Sequence, residues 1–191
     1  MLIPVKQAGR FLCIMKIYMI TRILLTGFLA GLAITAGAQK TASIDLASVR
    51  NIRQQLNGLN VSAFYHFNER ITAGIELNRF FPVKRENEET SVELSAWDFD
   101  LNFHCLLPLS RSLKVYPLSG ISHTSERELD LIDGERKYER FWSVNAGAGI
   151  LFTVGRWSPH VEYMFTWGHV NQQFLLAGIS YEVEWGRMEK K

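Results

Sequence analysis

Cysteine is scarce: the 191 residues hold two, Cys13 and Cys105, too few for a disulfide framework. Cys13 lies in a segment expected to be removed, so Cys105 has no internal partner and is expected as a small apolar residue facing lipid or core. The five histidines, His66, His104, His123, His160 and His169, lack the spacing of a zinc site. No glycine-rich phosphate cradle occurs, and Asp130, Asp133 and Glu135 do not follow a calcium loop. Past the first forty residues there is neither an 18-residue apolar run nor a 3.6-residue amphipathic stretch, which excludes a bundle of membrane helices. An excess of charge is lacking too. Four of the 21 basic residues (Lys6, Arg10, Lys16, Arg22) and none of the 19 acidic ones precede residue 39, so the remainder carries 17 basic against 19 acidic groups, a net −2. A basic surface for nucleic acid has no support there. With 47% apolar and 21% charged residues the chain is not a disordered polyelectrolyte, and its length fits one domain.

What is present begins with a leader. Lys16 and Arg22 precede an apolar run from Ile23 to Ile34, followed by Ala36-Gly37-Ala38-Gln39. A cationic start, a short apolar centre and small residues two apart predict a secretory signal peptide cleaved after Ala38. About 12 strongly apolar residues fall short of the ~20 that a spanning helix needs. Met15 or Met19 is the expected initiator, and no cysteine follows the run for lipid attachment. The expected organisation is a signal peptide with an N-terminal extension over 1–38, a folded domain over 39–185 and a charged tail over 186–191.

Within that domain period two recurs. Leu175, Ala177, Ile179, Tyr181, Val183 and Trp185 alternate with Leu176, Gly178, Ser180, Glu182 and Glu184. The same zigzag runs through Trp157 to Trp167, Trp142 to Val154, Trp97 to Cys105, Ile71 to Asn78 and Leu59 to Phe67. A weaker strand is expected from Leu113 to His123 and the weakest from Thr41 to Arg50. The phase slips near Ala96 and Trp97, which suggests a bulge or a strand leaving the membrane there.

Going backward from the C-terminus, tight turns (Gly155-Arg156, Ser110 to Ser112, Asn68 to Arg70) alternate with longer polar loops (His169 to Gln173, Ser125 to Glu139, Pro82 to Thr90). That alternation predicts an up-and-down antiparallel barrel of eight strands, all-β and transmembrane. The count needs a strand before Asn60, hence Thr41 to Arg50. Trp142, Trp157, Tyr163, Trp167, Tyr181 and Trp185 share the apolar parity near expected strand ends, where amphipathic rings favour a membrane interface. Strands of about 10 residues match a tilted crossing, closure satisfies every backbone group in lipid, and eight strands leave a side-chain-filled interior. A water-soluble lipocalin-like barrel or sandwich would place the same apolar half inside.

Three stretches, Ala36 to Gln39, Ser158 to Phe165 and Gly178 to Trp185, give the chain a resemblance to the small outer-membrane β-barrels of Bacteroidetes-type bacteria, porin-T-like or OmpA-like, over roughly residues 40 to 185. The resemblance implies an outer-membrane location and a last strand read by the barrel-assembly machinery. The chain departs from that pattern in carrying Gly186 to Lys191 after the final aromatic.

Ser158, His160 and Glu162 share a strand face and invite a lipid-hydrolase reading. Residues i and i+2 lie about 7 Å apart, however, too far for nucleophile activation, and the three would face the lumen. Glu76, Asp98, Asp100, Lys114, His104, His160, Glu162, Glu182 and Glu184 take the polar parity and are expected as a paired interior. The mixed-charge segment Ser125 to Glu139 is expected as an outward hairpin extension open to a partner. The resulting expectation is a non-catalytic outer-membrane barrel with a structural or interaction role. It has no catalytic residue, cofactor or metal, and its partners are outer-membrane lipid, the assembly machinery and another envelope protein met through the outer loops. The alternatives are a barrel enzyme acting on envelope lipid and a soluble periplasmic barrel holding an apolar ligand.

Overall fold

The computed structural model describes residues 40–86 and 91–185; the expected leader and charged tail lie outside them. Ten strands follow one another: β1 Lys40–Asn51, β2 Leu56–His66, β3 Ile71–Phe80, β4 Val83–Glu86, β5 Ser91–Cys105, β6 Leu107–Pro108, β7 Leu113–Asp130, β8 Arg136–Phe152, β9 Trp157–Gly168 and β10 Gln172–Trp185. Neighbours pair antiparallel. β1 pairs with β10, and β5 with β7, so the sheet closes on itself as a barrel of eight long strands, β4 and β6 being short additions. Closure leaves the long strands without a free edge, the condition for crossing lipid.

The weakest expected strand is real. β1 runs in continuous register from Lys40↔Trp185 to Asn51↔Phe174 and makes the closing seam. Period two translates directly into sides. Trp142, Val161 and Ile179 stand outside, exposed by 63%, 47% and 42%, whereas Glu162 is 4% exposed within the lumen. Ile44, Leu46, Val61, Ile75, Leu77, Leu101, Val144 and Ile150 continue the exposed apolar band around the wall. This polarity is that of a membrane barrel and the reverse of a soluble one, which removes the lipocalin-like alternative.

Aromatic side chains concentrate at both rims. Trp157 packs at a tilt against Tyr181 at 4.7 Å and Tyr65 meets Phe67 edge-on at 5.1 Å at the end of the three short turns. At the other rim His123 sits between Trp97 and Trp142, at 5.7 and 4.9 Å. Tyr163 departs from the expected ring and lies in mid-strand. In the lower turn the exposed Arg156 guanidinium is pushed above its usual range, first by a hydrogen bond with the Tyr181 hydroxyl, which ties that turn to the rim.

Three expectations need correction. The phase slip at Ala96 is not a bulge in β5, whose pairing with β7 runs unbroken from Val92↔Asp130 to His104↔Leu118. Leu94 and Ala96 are buried on the same side as Asp98 and Asp100. The lumen itself turns apolar at that end, so the change of residue type imitates a change of side. The extra residue lies opposite: Arg79 pairs with Trp97 but Val83 with Leu94, so three residues of the β3–β4 side face two of β5. Second, Ser125 to Glu139 is mostly strand. β7 extends to Asp130 and β8 starts at Arg136, leaving a short turn with Gly134 at φ 71°, a conformation that favours glycine. The β7–β8 hairpin, with strands of 18 and 17 residues, runs beyond β9, whose pairing ends at Ser143↔Gly168, and is accompanied to its tip by β5 at Val92↔Asp130. Third, His169 to Gln173 is a three-residue connection, because Gln172 already belongs to β10.

Candidate functional site

The lumen is filled in layers. At the hairpin end Val49, Leu56, Phe80, Leu94, Ala96 and Phe174 form an apolar stopper, with the Phe80 and Phe174 rings stacked at 5.8 Å. Above it Glu126 Oε1 accepts hydrogen bonds from Gln54 Nε2 at 2.7 Å and Gln172 Nε2 at 2.8 Å. One carboxylate thus fastens the β1–β2 turn and the start of β10 to the base of the hairpin.

Below the stopper, four asparagines and two carboxylates make a closed ring. Asn60 donates to Asn78 (2.8 Å) and Glu76 (3.2 Å), and Asn78 donates to Asp100 (2.8 Å). Asn102 donates to Glu76 (2.8 Å), while Asn145 donates to Asn102 (3.2 Å) and, at 3.5 Å, to Asp100. The register explains the ring. Glu76 and Asp100 are cross-strand neighbours, as are Asn60 and Asn78, and Asn102 and Asn145 both face Gly120 on the strand between them. Amide N–H groups aimed at carboxylate oxygens supply the bonds that buried charge requires.

Under the ring lies a cavity of ≈ 70 Å³, room for a few waters, lined among others by Asp45, His66, His104, Lys114, Tyr116, His160, Glu162 and Glu182. The Ser158, His160 and Glu162 trio does face the lumen, yet its members turn to different partners. Ser158 Oγ bonds Thr153 Oγ1 at 3.2 Å, His160 Nε2 lies 3.7 Å from Asp45 Oδ2, and Glu162 accepts from the Tyr116 hydroxyl at 3.1 Å. A nucleophile–base–acid relay is not assembled. His104 stacks on Tyr116 at 4.8 Å. No group of three or more His, Cys, Asp or Glu among the described residues is gathered for a metal ion.

Of the expected interior set, Glu76, Asp98, Asp100, His104 and Glu162 are buried. Lys114, His160 and Glu182 line the cavity; Glu184 is exposed at the end of β10. Cys105 is exposed on the outer wall. The sequence placed the asparagines on the polar face and Glu126 in the Ser125 to Glu139 segment without showing what they bond, and Asp45, Tyr116, Gln54 and Gln172 were not singled out. The asparagines carried a signal, since Asn60, Asn78, Asn102 and Asn145 all fall on polar parity within otherwise apolar strands.

No protein-family model matches the chain, and no curated protein matches it by sequence. The fold does have relatives among solved structures. The attachment invasion locus protein Ail of Yersinia pestis superposes with a TM-score of 0.55 at 15% identity, over 76% of this chain and 100% of that one. The N-terminal barrel domain of Pseudomonas aeruginosa OprF gives 0.59 at 11%, over 76% and 98%. Neisserial surface protein A gives 0.55 at 10%, over 78% and 98%. The chain has the fold of these outer-membrane proteins, an eight-stranded antiparallel β-barrel.

Proposed function

We propose that this outer-membrane barrel is a non-catalytic envelope protein whose wall is a membrane anchor and whose outer hairpin and turns meet another envelope component. The observation that carries the reading is the filled lumen. The apolar stopper and the asparagine–carboxylate ring occupy the interior, so the barrel offers solutes no open path, while its projecting chemistry sits on the β7–β8 hairpin. The partners are outer-membrane lipid, the assembly machinery and an envelope protein. β10, which closes the barrel against β1, is the strand the assembly machinery would read. The resemblance of Ser158 to Phe165 and Gly178 to Trp185 to small Bacteroidetes-type barrels belongs to the same reading.

The test combines three measurements on the full chain. Extraction should need detergent and give a heat-modifiable gel band, reconstitution in planar bilayers should give no steady conductance, and Ser158→Ala and His160→Ala should leave lipid A acylation unchanged. Release by salt alone would refute the membrane anchor, a steady current the filled lumen, and an altered acylation pattern the absence of catalysis.

A further inference from the structure

The two faces of the β7–β8 hairpin carry opposite charge. Pairing sets His123 beside Trp142, Ser125 beside Arg140, Arg127 beside Tyr138 and Leu129 beside Arg136, all on the side continuous with the lipid-facing wall. On β7 and β8 that face holds three arginines and no acid among its described strand residues; the one carboxylate beside it is Glu93 of the adjoining β5, which pairs with Arg127. The opposite face, continuous with the lumen, pairs Glu126 with Glu139 and Glu128 with Lys137 and ends at Asp130. A solvated hairpin has no need to sort its charges this way. Sorting is needed where the surroundings of the two faces differ.

Position in depth says what the cationic face meets. Arg79, Trp97, Ser125 and Arg140 are successive cross-strand neighbours on the outer wall. They form one row, and Trp97 belongs both to this row and to the Trp97–His123–Trp142 aromatic cluster that marks the interface. Arg79 therefore flanks the cluster while Arg140 and Arg127 lie beyond its His123–Trp142 pair; the row is inclined to the membrane because the strands are tilted. Arg140 is two residues past Trp142, about 7 Å along the strand and about 5 Å in depth at a tilt near 45°. The polar layer over the hydrocarbon core is itself roughly 5–7 Å thick. Arg79 and Arg140 are exposed; Arg127, one row higher, shares Glu93 at 3.4 Å and keeps 37% of its side chain open.

We infer that this outward sector, through Arg79, Arg127 and Arg140, docks the phosphates of lipid headgroups in the adjoining leaflet. A guanidinium fork matches phosphate oxygens in a bidentate fashion, and the adjoining aromatic cluster fixes the depth at which those oxygens arrive. The inference rests on the barrel spanning a membrane and not on any protein partner of the hairpin, so failure of either leaves the other standing.

The test reads tryptophan quenching of the full barrel in phosphatidylcholine vesicles doped with brominated phosphatidic acid, brominated phosphatidylcholine or a brominated fatty acid. Wild type should show severalfold more quenching by the phosphatidic acid than by the phosphatidylcholine. R79Q/R127Q/R140Q, with an unchanged heat-modifiable band, should lose that excess, and E128Q/K137Q/E139Q on the opposite face should keep it. If the triple variant does not fold, R140Q alone should reduce the excess. Equal quenching by the two phospholipids in wild type, an excess that survives the arginine changes, or an equal excess with the carboxylate-headed fatty acid would each overturn the assignment.

Discussion

Asn145 on β8 donates to Asn102 Oδ1 on β5 at 3.2 Å although β7 runs between them. The contact exists because the intervening residue is Gly120, paired with both. A Cβ at 120 would run into Asn102 Oδ1 and the Leu101 carbonyl. Gly120→Ala therefore pushes the asparagine off its partner and presses on the neighbouring backbone. Overpacking plus a buried unpaired amide is expected to cost about 2–4 kcal/mol, read as a lower urea midpoint in refolding into vesicles.

The outer mouth depends on one carboxylate in a similar way. Gln54 and Gln172 donate to the same Glu126 oxygen, and Gln54 is held in turn by Asn51 through bonds of 3.0 and 3.1 Å. Glu126→Ala removes two charge-assisted bonds and is expected to cost about 1–3 kcal/mol. The loss should be local, appearing as faster amide hydrogen exchange over residues 52–55 than in wild type, with the stopper residue Phe80 unaffected.

These two contacts mark where the sequence stops being legible. Period two told which side of the wall each residue takes, and Trp142 and Glu162 lie where it put them. It could not tell which residues meet across the lumen, because that depends on how far each strand is staggered against the next. Ser158, His160 and Glu162 looked like one constellation along β9, but Thr153, Asp45 and Tyr116 come from elsewhere to take them separately. Leu94 and Ala96 misled for a related reason: alternation reports polarity, and at the stopper the inside is as apolar as the outside.

The lipid-facing assignment predicts the effect of a charge on the wall. Val161 lies outward in mid-strand, 47% exposed. On a soluble barrel Val161→Arg would be close to neutral, whereas at the bilayer midplane it is expected to cost about 2–4 kcal/mol. Val154, exposed beyond the end of β8 at the lower rim, supplies the comparison, with Val154→Arg expected to cost at most about 1 kcal/mol. Equal unfolding midpoints for the two variants in vesicles would contradict the placement of the apolar band.

Orientation follows from the ends of the barrel. The turns at 67–70, 106–112 and 153–156 share the end where β1 begins and β10 finishes, and the extended hairpin marks the other. Outer-membrane barrels keep short turns toward the periplasm, so the hairpin faces outward. Cys105 is the one cysteine after residue 38, and Cys105→Ser provides a background for single labels. Asp133→Cys, in the exposed hairpin turn, is expected to react with a membrane-impermeant maleimide on intact cells. Arg111→Cys, in the exposed turn after β6, is expected to react only after the outer membrane is permeabilised. The opposite pattern would invert the barrel and place the Arg79, Arg127 and Arg140 sector against the periplasmic leaflet.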